Sequence, residues 1–355
     1  MHKQEVDYLI VGQGIAGVSM AFRMLEAGKR IAVIDRKVDN SSSKVAAGII
    51  NPITGRRYVK SWMFEDLLEE AHRFYESLSD RLNISCFEPK LIIRSLFNAS
   101  EEQDWWLRRQ DETYQPFMSE ELQVEDFLTH IRPVYAYGGV EKGGRVRLRQ
   151  LVEKWCAYLE AEKLLRYDTF SYDKIQMNGA YLEYESIRAK HILFCEGAKA
   201  VQNPYFHDLN FRTTKGEVLL VRCPSLSRKS IFKNKIFILP YEEDLFWIGS
   251  MYRLEENNEA PTQEAKDQLI ELLSRAIDVP FEVVDHRAAI RPTIRDRRPL
   301  LGTSSKYPNI HIFNGMGTKG ASLAPYFSKH MYAYLEEGQA LDPKVDINRF
   351  LKEKL

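Results

Sequence analysis

Residues Tyr8 to Arg36, YLIVGQGIAGVSMAFRMLEAGKRIAVIDR, decide the fold that this sequence predicts. Tyr8–Val11 is a run of apolar residues with high β-propensity, which is typical of a short buried strand. Apolar residues then recur at helical spacing until Gly28, at Ile15, Val18, Phe22 and Leu25. A second apolar run ends at Asp35. The segment therefore predicts a strand, a tight turn, a helix and a second strand.

Three glycines at the turn, Gly12, Gly14 and Gly17, form a G-x-G-x-x-G pattern. The first permits a tight turn, the second lets the backbone approach a pyrophosphate, and the third lets helix and strand pack closely. Asp35 stands where an acid accepts hydrogen bonds from a ribose diol, which disfavours a 2′-phosphate. The pattern predicts a dinucleotide site without separating NAD from FAD. Its predicted contacts are Gly12, Gly14, Ile15, Ala16, Gly17, Asp35 and Arg36.

The composition is that of an ordinary globular protein. The chain has 355 residues, enough for two domains, and its 50 basic and 50 acidic residues give no net charge that would favour nucleic acid or an anionic membrane. No apolar run approaches the roughly 20 residues that span a bilayer. The four cysteines form no C-x-x-C pair and the eight histidines show no ligand spacing. We therefore predict no metal site and a reducing, cytoplasmic location.

The order of strand and helix patterns along the chain predicts two interleaved domains. Strand–glycine–helix patterns occur in residues 1–82, 141–212 and 286–355, which we predict to form one nucleotide-binding domain. Residues 83–140 and 213–285 are richer in short alternating strands, and we predict that they form an antiparallel-sheet substrate domain. The predicted fold class is α/β with α+β insertions.

Seven pieces of the sequence together resemble the D-amino-acid oxidase superfamily of FAD-dependent oxidoreductases. In chain order they are YLIVGQGIAG, GGRVRLRQLVEKW, HILFCEGA, TTKGEVLLV, FILPYEEDLFWIGS, IRPTIRDRRPLLG and IHIFNGMGTKGASLAP. The resemblance spans nearly the whole chain and implies a Rossmann-like FAD domain interleaved with the substrate domain. It also implies noncovalent FAD, since residues 291–325 contain no cysteine and His311 lies in a strand-like run. RPTIRDRRPLLG, GMGTKGASLAP and AAGIINP look most like the FAD domain of a bifunctional tRNA wobble-uridine enzyme.

The resemblance also implies roles for individual residues. It places Arg291 where family members hold the substrate carboxylate, and Lys319 where a second basic group faces that carboxylate or the flavin edge that becomes negative on reduction. Tyr241, a third candidate catalytic residue, and Trp247 either line the substrate cavity or pack in a sheet. The further predicted FAD contacts are Lys44, Ala46, Ala47, Gly48, Phe170 (through its main chain), Cys195, Gly197, Gly315, Gly317, Lys319 and Gly320.

The activity implied by the resemblance is oxidation of a C–N bond in a glycine-like or N-substituted amino acid. A hydride passes to the flavin, the imine is hydrolysed and dioxygen reoxidises the flavin. One alternative is a tRNA wobble-uridine oxidase, which needs a basic mouth; the candidates are Arg56, Arg57, Arg145, Arg147, Arg149, Arg295, Arg297 and Arg298. The others are an FAD-binding protein without oxidase turnover and a pyridine-nucleotide dehydrogenase. The exact substrate, the electron acceptor and the oligomeric state stay open.

Overall fold

The glycine-rich segment folds into two parallel strands joined by a helix, as predicted. The computed structural model describes residues 3–122, 128–254 and 258–350. In it β1 (Gln4–Val11) leads through the glycine turn into α1 (Ile15–Glu26), and β2 (Ile31–Asp35) returns parallel to β1. Most of α1 is buried, because the helix is covered by the sheet and by neighbouring helices.

The other elements of the described ranges are as follows. The helices are α2 (Ser42–Val45), α3 (Phe64–Leu82), α4 (Ala99–Arg109), α5 (Leu148–Ala161), α6 (Gln263–Ala276) and α7 (Gly320–Glu336). The strands are β3 (Ile49–Ile50), β4 (Ile53–Thr54), β5 (Val59–Lys60), β6 (Phe87–Pro89), β7 (Ile92–Leu96), β8 (Ala136–Val140), β9 (Gly144–Val146), β10 (Leu165–Tyr167), β11 (Ile175–Asn178), β12 (Tyr181–Tyr184), β13 (Ile187–Phe194), β14 (Thr214–Arg222), β15 (Ile231–Lys233), β16 (Phe237–Pro240), β17 (Leu245–Leu254), β18 (Glu282–Arg291), β19 (Leu300–Thr303) and β20 (Ile310–Asn314). Short 3₁₀ turns occupy Gln115–Phe117, Tyr172–Lys174, Gly197–Gln202 and Ile347–Phe350.

The first large sheet has eight strands in the order β10-β2-β1-β13-β12-β11, with β20 beside the carboxyl half of β13 and β19 beyond it. Its centre is parallel, because β10, β2, β1, β13 and β20 run in the same direction. The carboxyl halves of β1 and β13 are buried, as expected for strands covered on both faces. Their carboxyl ends meet at one edge, where such sheets usually bind ligands.

The second large sheet has seven strands in the order β18-β14-β17-β16-β15-β7-β8 and is mostly antiparallel. One face of β14 and β17 packs against α6, where Leu219 shares a buried core with Leu269 and Leu273. Side chains alternate across a strand. Gly216 and Val218 of β14 therefore face the opposite side, toward the first sheet.

The two sheets are joined by a continuous hydrophobic core. Helices α1, α3, α5 and α7 pack together beside the first sheet, and their core includes Val218 and Trp247 from the second sheet. The indole N–H of Trp247 also donates a hydrogen bond to the carbonyl of Val45 at 2.9 Å. The space between the sheets is thus held by packing from both sides.

The combination of a parallel and a mostly antiparallel sheet confirms the predicted α/β fold class. The predicted division into domains stays a prediction. The first large sheet takes its strands from residues 1–82, 141–212 and 286–355, and the second takes most of its strands from 83–140 and 213–285. The strand Glu282–Arg291 runs through the boundary predicted at residue 286.

Candidate active site

A cavity of about 520 Å³ lies between the two large sheets. The carboxyl ends of β1 and β2 contribute Val11 and Ile34 to its wall, and Cys195 follows β13. The second sheet contributes Gly216 from β14 and Ala289 from β18. A cavity of this size suits a small molecule or a cofactor.

The amino-terminal turn of α1 opens onto this cavity. Gly14 caps the helix without a side-chain hydrogen bond, and the N–H groups of a first turn have no acceptor inside the helix. Ser43 Oγ accepts a hydrogen bond from the Ile15 amide at 2.9 Å, and a Cβ on Gly14 would come within 3.0 Å of that hydroxyl. Since a helix amino terminus carries partial positive charge, this narrow turn fits a pyrophosphate.

Close backbone contacts explain the other two glycines of the pattern. A Cβ on Gly17 would lie 1.9 Å from the carbonyl oxygen of Gly12, and a Cβ on Gly12 would lie 2.5 Å from the carbonyl oxygen of Cys195. Gly12 also has a φ of +98°, which residues with side chains rarely adopt. The glycines therefore bring α1 directly against the ends of β1 and β13.

Asp35 lies at one end of the cavity, at the carboxyl end of β2. Its Oδ2 accepts from the Gln13 amide at 2.7 Å, and its Oδ1 accepts from the Lys37 amide at 2.9 Å. Each carboxylate oxygen keeps a further lone pair for a ligand hydroxyl. Phe170 and Tyr172 line the same end, so the geometry suits a ribose with an adjoining base.

A segment of small residues, Ala46–Gly48, lines the cavity after α2. Gly48 has a φ of +74°, and a Cβ there would lie 1.9 Å from the carbonyl oxygen of Val146. The hydrogen bond from Trp247 to Val45 fixes this segment to the second sheet. The lack of bulky side chains leaves room for a flat ring system.

A glycine-rich turn between β20 and α7 closes the cavity. Asn314 Nδ2 donates to the carbonyl of Gly197 at 2.9 Å, which ties this turn to the segment after β13. The residues of the turn that line the cavity are Met316, Gly317, Thr318, Lys319 and Gly320. A second helix amino terminus thus lies at the cavity, where it favours negative charge.

Arg291, the last residue of β18, presents its guanidinium to the cavity. Its Nη2 donates to Ser250 Oγ at 2.8 Å. The group lies directly over Gly216, where a Cβ would be 2.3 Å from Nη2. Burial lowers the pKa of Arg291, and among the residues that the structure describes no carboxylate forms an ion pair with it. A desolvated guanidinium without a counter-charge is suited to bind an anion.

Lys319 is the second cationic side chain at the cavity. Its Nζ donates to Ser61 Oγ at 3.0 Å, and Ser61 Oγ donates to the carbonyl of Asn51 at 3.0 Å. Desolvation, and then repulsion by Arg298 and Arg297, lower the pKa of Lys319. An anion placed beside Lys319 would relieve both effects.

Comparison with known proteins agrees with this geometry. Residues 7–334 match the model of a family described as FAD dependent oxidoreductase. The chain belongs to this family. It is therefore an FAD-dependent oxidoreductase, and the resemblance to the D-amino-acid oxidase superfamily is confirmed.

Similarity to individual members of the family is distant but extends over most of the chain. The chain is 23% identical over 341 residues to a glycine oxidase of Pseudomonas aeruginosa, covering 89% of this chain and 91% of that protein. It is 24% identical over 311 residues to the tRNA 5-methylaminomethyl-2-thiouridine biosynthesis bifunctional protein of Campylobacter jejuni subsp. doylei, covering 83% of this chain and 46% of that protein. It spans about half the length of this second relative.

A solved structure shows the same fold. The glycine oxidase of Bacillus cereus superposes on this flavoenzyme with a TM-score of 0.78 at 19% sequence identity, over 94% of this chain and 96% of that one. The cavity fits the cofactor of the family, because the first turn of α1 opens onto it and can cradle a pyrophosphate with its N–H groups. Asp35 would hold the ribose and Ala46–Gly48 would border the ring.

Most of the FAD contacts predicted from the sequence line the cavity of this flavoenzyme. These are Gly12, Gly14, Ile15, Ala16, Asp35, Arg36, Ala46, Ala47, Gly48, Phe170, Cys195, Gly197, Gly317, Lys319 and Gly320. Arg291, predicted to hold the substrate carboxylate, lines it as well, and so does Trp247, for which lining the cavity and packing in a sheet were the alternatives. Gly17 and Gly315 lie outside the wall, because each is packed against backbone or side chains of the core.

Two further candidates lie away from the cavity wall. The ring of Tyr241 packs against the guanidinium of Arg145, 4.5 Å from the ring centre, so the structure favours the alternative of packing for Tyr241 over a place at the substrate. The ammonium of Lys44 donates to the carbonyl of Val38 at 2.9 Å instead of facing the cavity. In both cases another residue holds the side chain, which is absent from the cavity wall.

Three of the eight arginines considered for an RNA-binding surface are buried or paired with other residues. Arg145 is buried and donates to the carbonyls of Pro240 and Tyr241. Arg147 pairs with Glu88, and Arg149 pairs with Glu153 at 3.0 Å. These contacts remove Arg145 from the candidates for a basic mouth and leave the charges of Arg147 and Arg149 compensated.

Several residues at the cavity carried no signal in the sequence. Ser43, Gly216 and Ser250 act through single contacts with residues far along the chain. Glu196 accepts hydrogen bonds from Tyr172 at 2.6 Å and from Asn203 at 2.7 Å, and its burial raises the pKa of the carboxyl. Only the position of Glu196 after an apolar strand and before a glycine could have marked it.

The described residues lack both a metal-binding cluster and a membrane-spanning helix. Within residues 3–122, 128–254 and 258–350, no cluster of three His, Cys, Asp or Glu side chains is arranged to hold a metal ion. In the same ranges, no helix has the length and apolar character needed to cross a membrane.

Proposed function

We propose that this enzyme oxidises a C–N bond in a glycine-like or N-substituted amino acid. The observation that carries the proposal is Arg291, a desolvated guanidinium at the cavity that has no carboxylate partner among the described residues. A planar guanidinium grips a carboxylate through two parallel hydrogen bonds. The distant similarity to glycine oxidases supports the same substrate class.

In this proposal the protein binds and orients the substrate. Arg291 holds the carboxylate, and the contact with Ser250 fixes the rotation of the guanidinium. Val218, Ala289 and Trp247 supply apolar wall, which keeps water from the bound amine. FAD, bound along Ala46–Gly48, would supply the acceptor for a hydride from the carbon beside the nitrogen and a route for two electrons to dioxygen, and water would hydrolyse the imine. A neutral amine needs no strong base for this step.

We propose that FAD is held without a covalent bond. His311 is buried within β20, where its ring bonds with Thr303 and His191, and it is absent from the cavity wall. Cys195 lines the cavity, but burial raises the pKa of its thiol well above the usual value. A protonated thiol is a poor nucleophile. The four cysteines are buried and unpaired, which is consistent with a cytoplasmic location.

The experiment that tests the function is the visible spectrum of the FAD-loaded enzyme under anaerobic conditions. We expect glycine, sarcosine or a related N-substituted glycine to bleach the flavin absorbance, with recovery on admission of air. Bleaching only by hypomodified tRNA would favour the wobble-uridine oxidase. No bleaching with any amine, despite bound flavin, would favour a binding protein without turnover and overturn the proposal.

Substitution of Gly216 by alanine is expected to raise KM for the amino acid by roughly 10- to 100-fold, since the new methyl group would displace the guanidinium of Arg291. Steady-state oxygen uptake measures this change. Gly179→Ala is the control, because a Cβ on Gly179 meets nothing within 4 Å, although its φ of +62° adds a backbone strain that Gly216 does not have. An unchanged KM in Gly216→Ala would contradict the role given to Arg291.

A further inference from the structure

Two cationic side chains, Arg291 and Lys319, line the cavity, and each is held by a different serine, Ser250 and Ser61 respectively. We propose that Lys319 forms a second anion subsite, so that the substrate is an amine with two acidic groups, one held by Arg291 and the other by Lys319. This inference rests on the proposed function, because it names the substrate class of the same site.

Arg291 is anchored on the second sheet. Its Nη2 bonds to Ser250 on β17, and its guanidinium lies over Gly216 on β14. A guanidinium has five N–H donors in a rigid plane. Fixed on this wall, Arg291 offers its remaining donors to one carboxylate.

Lys319 is anchored by the segment that follows β5. Its Nζ bonds to Ser61, and Ser61 is in turn fixed by the carbonyl of Asn51. Neither residue belongs to the wall that holds Arg291, and the two cations share no hydrogen-bond partner within the described part of the chain. An ammonium has three donors, so Lys319 keeps two for a ligand.

The surroundings of Lys319 carry excess positive charge. The guanidinium of Arg298 stacks on the ring of Trp62 at 4.0 Å, and Trp62 stacks on Phe327 at 5.6 Å, which holds Arg298 in place. Arg298 and Arg297 are both close enough to contribute to the lowered pKa of Lys319, after the larger effect of desolvation. Across residues 3–122, 128–254 and 258–350, none of these three side chains pairs with a carboxylate.

In this proposal a single carboxylate does not serve both cations, because Arg291 is held by Ser250 and Lys319 by Ser61, on different parts of the fold. Bound at Arg291, it would leave Lys319 and its neighbours without a counter-charge in a partly desolvated site, which is unfavourable. A second acidic group on the substrate supplies the missing charge and accepts the free donors of Lys319. The substrate class that fits is an N-(carboxymethyl) amino acid, of which iminodiacetate is the smallest example.

The reaction of such a substrate balances with the chemistry already proposed. A carboxymethyl carbon loses a hydride and the nitrogen loses a proton, which gives an imine. Water adds to the imine carbon, and the C–N bond breaks to give glyoxylate and a primary amino acid. Dioxygen receives the two electrons through FAD and, with two protons, becomes hydrogen peroxide.

A pair of inert ligands tests the subsite without turnover. Diglycolate is the ether analogue of iminodiacetate and has two carboxylates, whereas methoxyacetate is the ether analogue of sarcosine and has one. Neither contains an amine that can be oxidised. We titrate each into the FAD-loaded enzyme and follow the change in visible flavin absorbance. We expect the Kd of diglycolate to be at least tenfold below that of methoxyacetate; a ratio below threefold would overturn the proposal.

Variants at Lys319 locate the source of this preference. We expect Lys319→Met to raise the Kd of diglycolate more than tenfold and that of methoxyacetate less than threefold, and Lys319→Arg to keep most of the preference. Lys329→Met is the control on α7, the helix that Lys319 caps, because the Lys329 side chain is 61% exposed and pairs with Glu70, outside the cavity wall. FAD content reports that each variant is folded. An equal rise in Kd for both ligands would mean that Lys319 binds the same carboxylate as Arg291 or contacts the flavin, and would overturn the proposed subsite.

The outcomes separate this inference from the proposed function. If no amine bleaches the flavin but diglycolate is preferred through Lys319, the subsite stands and the oxidation fails. If sarcosine and iminodiacetate are oxidised with equal kcat/KM and the two ethers bind alike, the oxidation stands and the subsite fails.

Discussion

Replacing Arg291 by methionine is expected to lower kcat/KM for the amino-acid substrate by roughly 30- to 3,000-fold, the range found when one partner of a buried charge pair is removed. The substrate carboxylate would lose the two parallel hydrogen bonds from the guanidinium and would be bound in an apolar pocket without a counter-charge. Most of the loss is expected in KM, because the guanidinium binds the acid group and takes no part in the electron transfer. Oxygen uptake over a range of substrate concentrations measures both constants.

The fold should survive this substitution, since Arg291 has no ion-pair partner among the described residues and its burial is unfavourable to its charge. Flavin content and melting temperature are therefore expected to stay near the wild-type values. Arg291→Lys should retain part of the activity, because lysine keeps the positive charge but cannot donate two parallel hydrogen bonds to the carboxylate. Arg275→Met is a matched control, as the Arg275 side chain is 69% exposed on α6. A fall in kcat/KM of less than threefold in Arg291→Met would refute the carboxylate role.

Replacing Gly17 by alanine is expected to abolish stable FAD binding. The methyl carbon would lie 1.9 Å from the carbonyl oxygen of Gly12, so α1 would have to move away from the turn that cradles the pyrophosphate. Overpacking of this kind costs about 3 kcal/mol of unfolding free energy. Flavin absorbance relative to protein absorbance measures retention, and thermal unfolding of the flavin-free protein measures stability.

Gly28→Ala controls for the loss of a glycine near the same helix. Gly28 has a φ of +70°, but a Cβ there would meet nothing within 4 Å, so the expected cost is about 1 kcal/mol with full flavin content. Normal flavin content in Gly17→Ala would show that the turn tolerates a wider gap than the structure implies.

The nucleotide half of the site could be predicted because its signals are local. Gly12, Gly14 and Asp35 occupy one strand–turn–helix–strand unit, in which spacing along the chain fixes spacing in the fold. The loop at Gly48 and the turn at Gly317 were found through the resemblance to a family, and both line the cavity. Tyr241 was harder to assign, because a tyrosine after an apolar strand gives no sign of which side it faces, and its ring packs on Arg145.

By itself, the sequence determined the α/β class and the glycine turn of the dinucleotide site, and its resemblance to a family pointed to the two basic residues, Arg291 and Lys319, that line the cavity. Only the tertiary structure decided how each is held. Arg291 meets Ser250 across 41 residues, and Lys319 meets Ser61 across 258. Such contacts depend on which strands pair and which loops converge. No periodicity in the chain records them, because the pairing minimises the free energy of the whole core.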